Sequence, residues 1–480
     1  MRVYLLAPAS RNVLVSRTYA ALEPALMPMA LGYLGGVLRQ HGHDVRLRDQ
    51  AAMTLPNPAV LDEIDRLQPG LVGISVLTGA WHNVVLLVRE LRRRHPGLPI
   101  VMGNTHAGVF ADRILEEGYA DYVAHGEGEV TLPDLVEAIE KGRDPASVAG
   151  ISFLQDGRVH RTPDRPPIDD LDSLPFPAWD LLDLSAWRYQ KIPMVNLRSH
   201  PVPLMASRGC SHACTFCSQD KVVRRFRRRS IERVVAELSH MVDRFHFRSF
   251  GFNDSYFPWS DEVAFEFCDR VLARPWGGTL PWVTETRVDR VTDESMARMK
   301  AAGLHAIFFG FESGNPAVLD SLGKGTTVQQ GREAVRIAHR HGVLVVGFFM
   351  IGIPGESREA VEDTVRFAID TGVDLAKFAI TVPYPGSRLF ERVKDREFSL
   401  EDCDQFTSWF DWTGRSEQPL WGSDGLSGRD LVQLQRRAMF RFYARPSYML
   451  GAMRKGLFSP REMAMGGRLL LSRLASGLRD

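Results

Sequence analysis

The residues of this chain with the clearest chemical meaning are three cysteines, Cys210, Cys214 and Cys217, which lie within eight positions. Their C-x3-C-x2-C spacing follows an apolar stretch, and a loop this short can bring three thiolates to one inorganic centre. A structural zinc site normally takes four ligands in two separated pairs, and the nearby fourth candidate is His212, inside the loop. An iron–sulfur cube suits three thiolates better, because cysteine is its natural ligand. Three ligands for four irons leave one iron open to bind a substrate or a cofactor.

The same loop carries a family resemblance. With Phe216 before Cys217, it resembles the C-x3-C-x-aromatic-C signature of the radical S-adenosylmethionine (SAM) superfamily. The resemblance implies a [4Fe–4S] cluster on the three cysteines, with SAM chelating the open iron. An electron donor such as flavodoxin or ferredoxin would then allow cleavage of SAM to a 5′-deoxyadenosyl radical, which abstracts a substrate hydrogen. Cys268 and Cys403 have no partners in the sequence pattern and are interpreted as incidental thiols.

Between residues 200 and 400, apolar strands alternate with helices, which predicts a partial (β/α)6 barrel of the TIM type. The six predicted strands are "PLMASRG", "RSFGFND", "PWVTETRVD", "HAIFFGFES", "VLVVGFFMIG" and "LAKFAITVP". Ligand sites in such barrels lie at the carboxyl ends of the strands. The family resemblance implies SAM contacts at those ends, and the matching positions are Phe216, Asn253, Asp254, Glu285, Arg287, Glu312, Ser313 and Gly352.

Each of these positions also has a plainer interpretation. Asn253 and Asp254 could form a turn or a cap, and Arg287 and Glu312 could be an ion pair inside the barrel. Gly352 could serve the turn before Pro354. Six strand–helix units in register behind the cysteine loop nevertheless favour the SAM interpretation of the set.

Residues 1–145 also alternate strands and helices, which predicts a doubly wound, Rossmann-like parallel sheet. Ligands in such sheets lie in a crevice beyond the carboxyl ends of the strands. The polar residues and glycine that follow the predicted strands, and that we expect around this crevice, are Asn104, Thr105, His106, Glu127 and Gly128.

This first region resembles the cobalamin-binding domain fused to one large branch of the radical SAM superfamily, in pieces such as "LGYLGGVLRQHGHDVRLRD" and "VMGNTHAG". The resemblance implies bound cobalamin. The D-x-H-x-x-G string that supplies a histidine to cobalt is absent, so His106 is expected to be a wall residue rather than a cobalt ligand. A domain that has lost cobalamin and serves as a scaffold is the alternative. Methylthiotransferases need further cysteines in this region, and none precedes Cys210.

Two further regions complete the organisation. Residues 146–199 are predicted to be a hairpin, turning at Asp156 and Gly157, followed by a Pro- and Asp-rich linker. Residues 401–480 are predicted to be a helical extension, and residues 428–480 hold eleven Lys and Arg against three Asp and Glu. This basic, aromatic-rich segment could rest on a membrane surface, or form a helical cap over the barrel mouth. The "RRFRRR" stretch at 224–229 is interpreted as a solvated basic segment near SAM, not a nucleic-acid site.

Composition excludes several classes. Net charge is +1, which gives no global attraction to nucleic acid, and 44% hydrophobic residues are typical of a globular protein. We find no apolar run approaching the roughly 20 residues of a membrane span. Few cysteines outside the cluster suit a reducing compartment, and we expect a cytoplasmic protein.

Together the resemblances imply a cobalamin-dependent radical SAM enzyme, a C-methyltransferase that acts on an unactivated carbon of a small molecule. A second SAM would methylate cobalamin, and the substrate radical would take the methyl group. An oxidative cyclase or rearrangement enzyme, as in tetrapyrrole ring formation, is the alternative within the family. A non-catalytic cobalamin or metal sensor is the alternative outside it. The sequence does not indicate the substrate.

Overall fold

The computed structural model describes residues 1–10, 27–186, 201–218, 225–392 and 425–458, together with residues 14, 189, 197 and 423. Cys403 lies outside the described residues. In the described part of the chain, no helix is both long and apolar enough to cross a membrane.

A seven-stranded sheet organises the first part of the chain, with the order β2-β1-β3-β4-β5-β6-β7. Strands β1 to β5 are parallel, as predicted, whereas β6 and β7 are antiparallel. The strands are Arg2–Ala7 (β1), Asp44–Asp49 (β2), Leu71–Ser75 (β3), Ile100–Gly103 (β4), Tyr122–Ala124 (β5), Ile151–Gln155 (β6) and Arg158–Arg161 (β7).

Crossover helices cover both faces of this sheet. They are Met29–Gln40 (α1), Gln50–Met53 (α2), Asn57–Leu67 (α3), Trp81–Arg94 (α4), Thr105–Val109 (α5), Ala111–Glu116 (α6) and Gly128–Lys141 (α7). Helix α4 shows why they form: its buried Val84, Leu87, Val88 and Leu91 recur at helical spacing and face the sheet, while charged residues face solvent. We call this sheet with its helices the N-terminal domain.

The predicted hairpin is present, and it belongs to the first sheet. Its turn places Asp156 and Gly157 at φ values of 51° and 73°, the left-handed conformation that a two-residue hairpin turn requires. Strand β6 pairs with β5, so the hairpin extends the N-terminal sheet beyond residue 145 and gives it an antiparallel edge.

A six-stranded parallel sheet organises the second part, with the order β15-β14-β13-β12-β11-β8, and all six predicted strands are confirmed. They are Val202–Leu204 (β8), Phe250–Phe252 (β11), Trp282–Thr286 (β12), Leu304–Glu312 (β13), Leu344–Ile351 (β14) and Leu375–Ile380 (β15). Strands β8 and β15 are the two edges of the sheet, so the barrel is open, as six units predict. A short antiparallel ribbon, Ser207–Arg208 (β9) with Arg227–Arg228 (β10), flanks the cysteine loop.

Helices surround this barrel on its outer face, at its mouth and along its open edge. They are Ile231–Phe245 (α8), Asp261–Leu272 (α9), Asp293–Ala301 (α10), Pro316–Ser321 (α11), Val328–Arg340 (α12), Arg358–Thr371 (α13), Arg388–Glu391 (α14), Gly428–Tyr443 (α15) and Pro446–Arg454 (α16). Phe311 and Phe349 contact Phe367 of α13, which fixes their side chains on the helix-covered face. Residues of the opposite parity, such as Phe308 and Phe348, therefore face the barrel interior.

Helix α15 covers the edge strand β15. The Tyr443 hydroxyl donates to the Ala376 carbonyl at 2.8 Å and accepts from the Ala376 N–H at 3.0 Å, and the Gln435 side chain donates to the Phe378 carbonyl at 2.7 Å. These bonds satisfy backbone groups that an open edge would leave unpaired. The described part of the helical extension, residues 425–458, thus lies along the open side of the barrel through α15.

The basic residues of α15 and α16 are partly neutralised. Arg441 pairs with Glu362 and Lys455 pairs with Asp374, while Leu450 and Met453 remain exposed. Contact with a membrane surface stays a prediction.

Candidate active site

The cysteine loop lies across the mouth of the barrel. It follows β8 and β9, turns at Gly209 with φ at 86°, and holds Cys210, Cys214 and Cys217 half-buried. The Thr215 N–H donates to the Leu322 carbonyl at 3.0 Å, and the Thr215 carbonyl accepts from the Leu389 N–H at 2.9 Å. These two bonds tie the loop to the segment after α11 and to α14.

The donor set fits an iron–sulfur cluster. All three residues remain thiols, outside any disulfide among the described residues. Within the described ranges, no three His, Cys, Asp or Glu side chains converge on a single metal ion. Cluster ligands need not converge in that way, because each thiolate binds a different iron. Burial raises the pKa of Cys214, whereas the positive charges of Lys324 and Arg287 lower it and so favour the thiolate.

Asp254 anchors the start of the loop. Its buried carboxylate accepts from the Ala206 N–H at 3.0 Å and from the Ser207 hydroxyl at 2.5 Å. Burial raises the pKa of Asp254 to about 7, against the effect of these donors. The neighbouring Asn253 has an exposed side chain. The structure therefore separates two residues that the sequence treats alike, since one holds the loop and the other is available to a ligand.

Glu312 adopts a strained conformation at the end of β13. Its φ of 63° is rare for a residue with a side chain and costs about 1–3 kcal/mol. Its carboxylate turns back over Gly310 and pairs with the Lys324 ammonium at 2.5 Å, and Lys324 also donates to the Gly310 carbonyl at 2.6 Å. A Cβ on Gly310 would lie 2.5 Å from both charged groups. The buried pair thus depends on glycine at this position.

Arg287 has a different partner from the one considered from sequence. It forms two 2.9 Å bonds to the Asp289 carboxylate and donates to the Lys324 carbonyl at 2.9 Å. The interpretation of Arg287 and Glu312 as a mutual ion pair is therefore wrong, because each pairs with another residue. Both nonetheless lie beside the cysteine loop, close enough for Arg287 to affect Cys214.

Glu285 lies on the inner face of the barrel. Strand register places it beside Phe308, whose ring contacts Phe348, and Phe348 is the register partner of Lys377. Its side chain is solvent-accessible, but the surrounding protein, with the Glu312 carboxylate, raises the pKa of Glu285 to about 7. The interior therefore combines aromatic rings with an ionisable carboxyl and an ammonium group.

The other predicted SAM positions lie at the same end of the barrel. The buried Ser313 hydroxyl bonds to the Thr364 hydroxyl at 3.0 Å, and Phe216 packs against a small apolar cluster that includes Ile353. The Gly352 N–H donates to the buried Glu356 carboxylate at 2.7 Å. Gly352 has φ at 85° and a side chain there would meet Leu431 of α15, so glycine is required. The individual SAM contacts stay predictions.

Sequence reasoning missed several residues of the site. Lys324 is the most informative, and its signal is the "GKG" string, a lysine between two glycines after a helix. Tyr256, whose hydroxyl lies 2.9 Å from that of Ser211 in the loop, and Lys377 in the barrel interior were also missed. No local pattern marks these two, because their partners are distant in the sequence.

The crevice of the N-terminal domain has open, glycine-lined walls. Around a Cβ placed on Gly79, after β3, or on Gly126, after β5, no atom of the described residues lies within 4 Å, apart from the chain neighbours of each glycine. Leu77 and Val109 are exposed apolar residues after β3 and β4. Space beside glycine together with exposed apolar side chains fits a large flat ligand such as a corrin. Asn104, with φ at 78°, and Thr105 also lie at this edge, and the Asn104 amide donates to the Ser75 hydroxyl at 3.0 Å.

His106 is fully buried beneath this crevice. Its ring packs at 4.8 Å from both Trp81 and Phe110, and its Nδ1 lies 3.3 Å from the Thr78 hydroxyl. Burial lowers the pKa of His106 to about 3, so the imidazole is neutral. Its Nε2 is buried and has no hydrogen-bond partner in the described part of the chain. A ring enclosed in this way does not reach the crevice surface, and the expected role of His106 as a wall residue rather than a cobalt ligand stays a prediction.

Glu127 and Gly128 lie at the start of α7, where they face the barrel. The Glu127 carboxylate bonds to Arg208 and Arg227, so both of its oxygens have protein partners. A Cβ on Gly128 would lie 3.0 Å from Leu34. The predicted cobalamin contacts of these two residues stay predictions, and the structure gives the Glu127 side chain an inter-domain partner instead.

The "RRFRRR" stretch is not uniformly solvated. Arg225 and Arg228 are exposed, but Arg227 and Arg229 are buried in ion pairs, Arg227 with Glu127 and Arg229 with Glu237. The expectation of a solvated segment is therefore wrong for Arg227 and Arg229, because alternate residues of the extended segment point inward.

Comparison with known proteins agrees with this arrangement. Residues 204–368 match the radical SAM superfamily, and residues 19–136 match the B12 binding domain. An uncharacterized methyltransferase of Pyrococcus horikoshii is 30% identical over 94% of this chain and 94% of its own length. The anaerobic magnesium-protoporphyrin IX monomethyl ester cyclase of Rubrivivax gelatinosus is 32% identical over 77% of this chain and 66% of its own.

A solved structure shares the fold. The radical SAM methyltransferase TsrM of Kitasatospora setae, solved with tryptophan and a SAM analogue, superimposes with a TM-score of 0.65 at 20% identity, covering 82% of this chain and 76% of its own. The chain belongs to the radical SAM superfamily, in the branch whose members carry a B12-binding domain. It is an enzyme, and its two matched domains belong to families that use SAM and bind cobalamin (vitamin B12). The [4Fe–4S] cluster on the three cysteines stays a prediction.

Replacing Asp254 and Asn253 separately tests their different positions. Asp254→Asn directs an amide donor at backbone N–H groups, which weakens the loop by about 1–3 kcal/mol. We expect less iron per protein after reconstitution, measured by iron and sulfide assay. Asn253→Ala is the matched control. It should keep the wild-type iron content, and only its affinity for SAM should fall. Full cluster content in Asp254→Asn would contradict the anchoring role.

His106→Phe tests the enclosed histidine, because phenylalanine keeps an aromatic ring beside Trp81 and Phe110 and removes both ring nitrogens. We expect the electron paramagnetic resonance (EPR) spectrum of bound cob(II)alamin to be the same in wild type and variant. Nitrogen splitting that is present in wild type and absent in the variant would show that His106 ligates cobalt, contrary to its buried position.

Proposed function

We propose that the protein is a methyltransferase that places a methyl group on an unactivated carbon of a small molecule. The observation that carries the proposal is a contact between the mouth of the barrel and the crevice edge of the N-terminal domain, the two places where ligands are expected. Arg208, two residues before Cys210, contacts Glu127, which directly precedes α7 beyond the end of β5. The mouth of the barrel and the crevice of the N-terminal domain therefore face a common space, where one substrate can meet both cofactors.

The family relationship supports the same activity. The Pyrococcus horikoshii relative matches along nearly its whole length and is named a methyltransferase. When bound, the cluster with SAM supplies hydrogen abstraction, and cobalamin supplies a methyl group. The chain itself must hold both near the substrate and limit the access of water.

The residues of the chain divide these tasks. Cys210, Cys214 and Cys217 hold the cluster, and the polar groups at the strand ends, Asn253 among them, bind SAM. The aromatic interior around Phe308 receives the carbon to be modified. Electrons arrive from a flavodoxin or ferredoxin at the exposed side of the half-buried loop.

The barrel interior favours an amphipathic substrate. Phe308 and Phe348 offer apolar contact, whereas Glu285 and Lys377 offer one ionisable group of each sign. A carboxyl with a pKa near 7 can donate or accept a hydrogen bond at neutral pH.

An oxidative cyclase is the second candidate, because the Rubrivivax gelatinosus cyclase is slightly more identical over the aligned part. That match covers less of both proteins than the methyltransferase match does. Product mass separates the two activities, since methylation adds one CH2 and ring closure does not.

Anaerobically reconstituted protein should form 5′-deoxyadenosine from SAM when it is reduced. The triple variant Cys210→Ala, Cys214→Ala, Cys217→Ala should lose iron and lose this product by at least a hundredfold, measured by liquid chromatography with mass detection. Cys268→Ala is the control, because Cys268 is buried in α9 away from the loop. Equal product from the triple variant and wild type would end the proposal.

A further inference from the structure

A largely buried ion-pair cluster joins the N-terminal domain to the strands that flank the cysteine loop. We propose that this cluster, Arg208 and Arg227 with Glu127 and Glu129, couples cobalamin binding in one domain to SAM binding in the other. We call it the latch. The inference rests on the proposed cofactor sites, and it adds that neither site is independent of the other.

Arg208 is the residue of the latch nearest the cluster ligands. Its guanidinium donates to Glu127 Oε1 at 3.1 Å and also pairs with Glu129. It lies 5.5 Å from the centre of the Tyr33 ring in α1, a cation–π distance. Only Gly209 separates Arg208 from Cys210, so a shift of either carboxylate is transmitted to the start of the loop.

Arg227 makes the second half of the latch. It donates to both Glu127 oxygens at 2.8 Å, and its side chain is only 3% exposed. It also donates to the Ile168 carbonyl at 2.5 Å, and the Ile168 N–H donates to Glu127 at 2.6 Å. Arg227 and Arg208 are register partners in the β9–β10 ribbon. The Glu127 carboxylate therefore bonds to both strands that flank the loop.

A second buried pair supports the latch from behind. Arg229 pairs with Glu237 at 2.7 Å and donates to the Tyr33 hydroxyl at 3.2 Å. Its guanidinium also donates to the Met205 carbonyl at 2.8 Å, and its N–H donates to the Ala206 carbonyl at 2.8 Å. Tyr33 therefore contacts arginines on both sides of the loop.

The electrostatics explain why these contacts are specific. Although burial opposes ionisation, the hydrogen bonds of Arg227 and Ile168 and the charge of Arg208 keep the pKa of Glu127 below its usual value. Two carboxylates and two guanidiniums balance in charge. A buried pair of this kind tolerates little displacement, because moving one partner leaves the other charge without compensation.

The geometry has a direct consequence for the two ligands. Glu127 and Glu129 lie at the start of α7, at the crevice edge where cobalamin is expected, and Arg208 and Arg227 lie at the cluster loop. A ligand that fixes one edge therefore reduces the freedom of the other. Coupling between two sites is reciprocal, so SAM must affect cobalamin affinity by the same factor as the reverse.

The test compares cobalamin affinity in the presence and absence of SAM. Reconstituted full-length protein is titrated with hydroxocobalamin, followed by absorbance, with and without saturating SAM. Wild type should bind cobalamin about fivefold or more tightly with SAM, the lower end of typical coupling. Glu129→Gln, which replaces no residue of the cysteine loop and leaves the Glu127 bonds to both arginines, should keep its iron and bring the ratio of the two dissociation constants close to one.

Two further variants complete the experiment. Arg208→Lys keeps the charge but cannot bond both carboxylates in the same way, so its ratio should fall between those of wild type and Glu129→Gln. Asp169→Asn removes an exposed ion pair with Arg225, formed at 2.5 Å beside the latch, and should keep the wild-type ratio.

The outcomes separate the latch from a structural brace and from the proposed function. A lower unfolding temperature in Glu129→Gln with an unchanged ratio would show a brace and overturn the coupling. A wild-type ratio of one, or SAM binding without cobalamin binding, would also overturn it. Reconstituted wild-type protein that held no iron, or that did not cleave SAM, would instead refute the proposed function.

Discussion

Three thiolates must be held in fixed positions by a loop that has almost no secondary structure of its own, and the rest of the molecule satisfies this constraint. Asp254 fixes the start of the loop through Ala206 and Ser207, and Leu322 and Leu389 fix its middle through backbone bonds. The N-terminal domain fixes its flanks through Glu127. The loop therefore takes its shape from elements far apart in the sequence.

The mouth of the barrel is arranged around charge. Lys324 and Arg287 lie beside the loop, and each is bound to a carboxylate that holds it in place. The strained backbone of Glu312 and the missing side chain of Gly310 allow the Lys324 pair to form inside the barrel. Strain of this kind persists where the surrounding structure requires it, which is common at functional sites. Deeper in the barrel, the surrounding protein and the Glu312 carboxylate both raise the pKa of Glu285, although its side chain remains accessible to solvent.

Much of the architecture could be predicted from the sequence because it depends on local patterns. The six barrel strands, the parallel N-terminal sheet and the turn at Asp156 and Gly157 all follow from periodicity and turn chemistry. The position of the cysteine loop after a strand followed in the same way. The pairing of the hairpin with β5 did not, since nothing local specifies which edge receives it.

The residues that could not be predicted depend on long-range contacts. Arg208 and Glu127 are 81 positions apart, and Arg227 and Glu127 are 100 apart. Arg227 belongs to a run of basic residues, and such a run predicts exposure to solvent for all its members. The burial of Arg227 results from the β9–β10 ribbon, which the sequence pattern does not indicate. The only sequence signal for Lys324 is its position between two glycines, and that signal does not indicate its partner, Glu312 at the end of β13.

The central claim is that three cysteines hold a four-iron cluster and leave one iron for SAM. Mössbauer spectroscopy of protein reconstituted with 57Fe tests it most directly. Addition of SAM should change the signal of one iron in four and leave the other three as they were. A spectrum in which SAM changes no iron, or in which all four irons have equivalent thiolate ligands, would contradict the account.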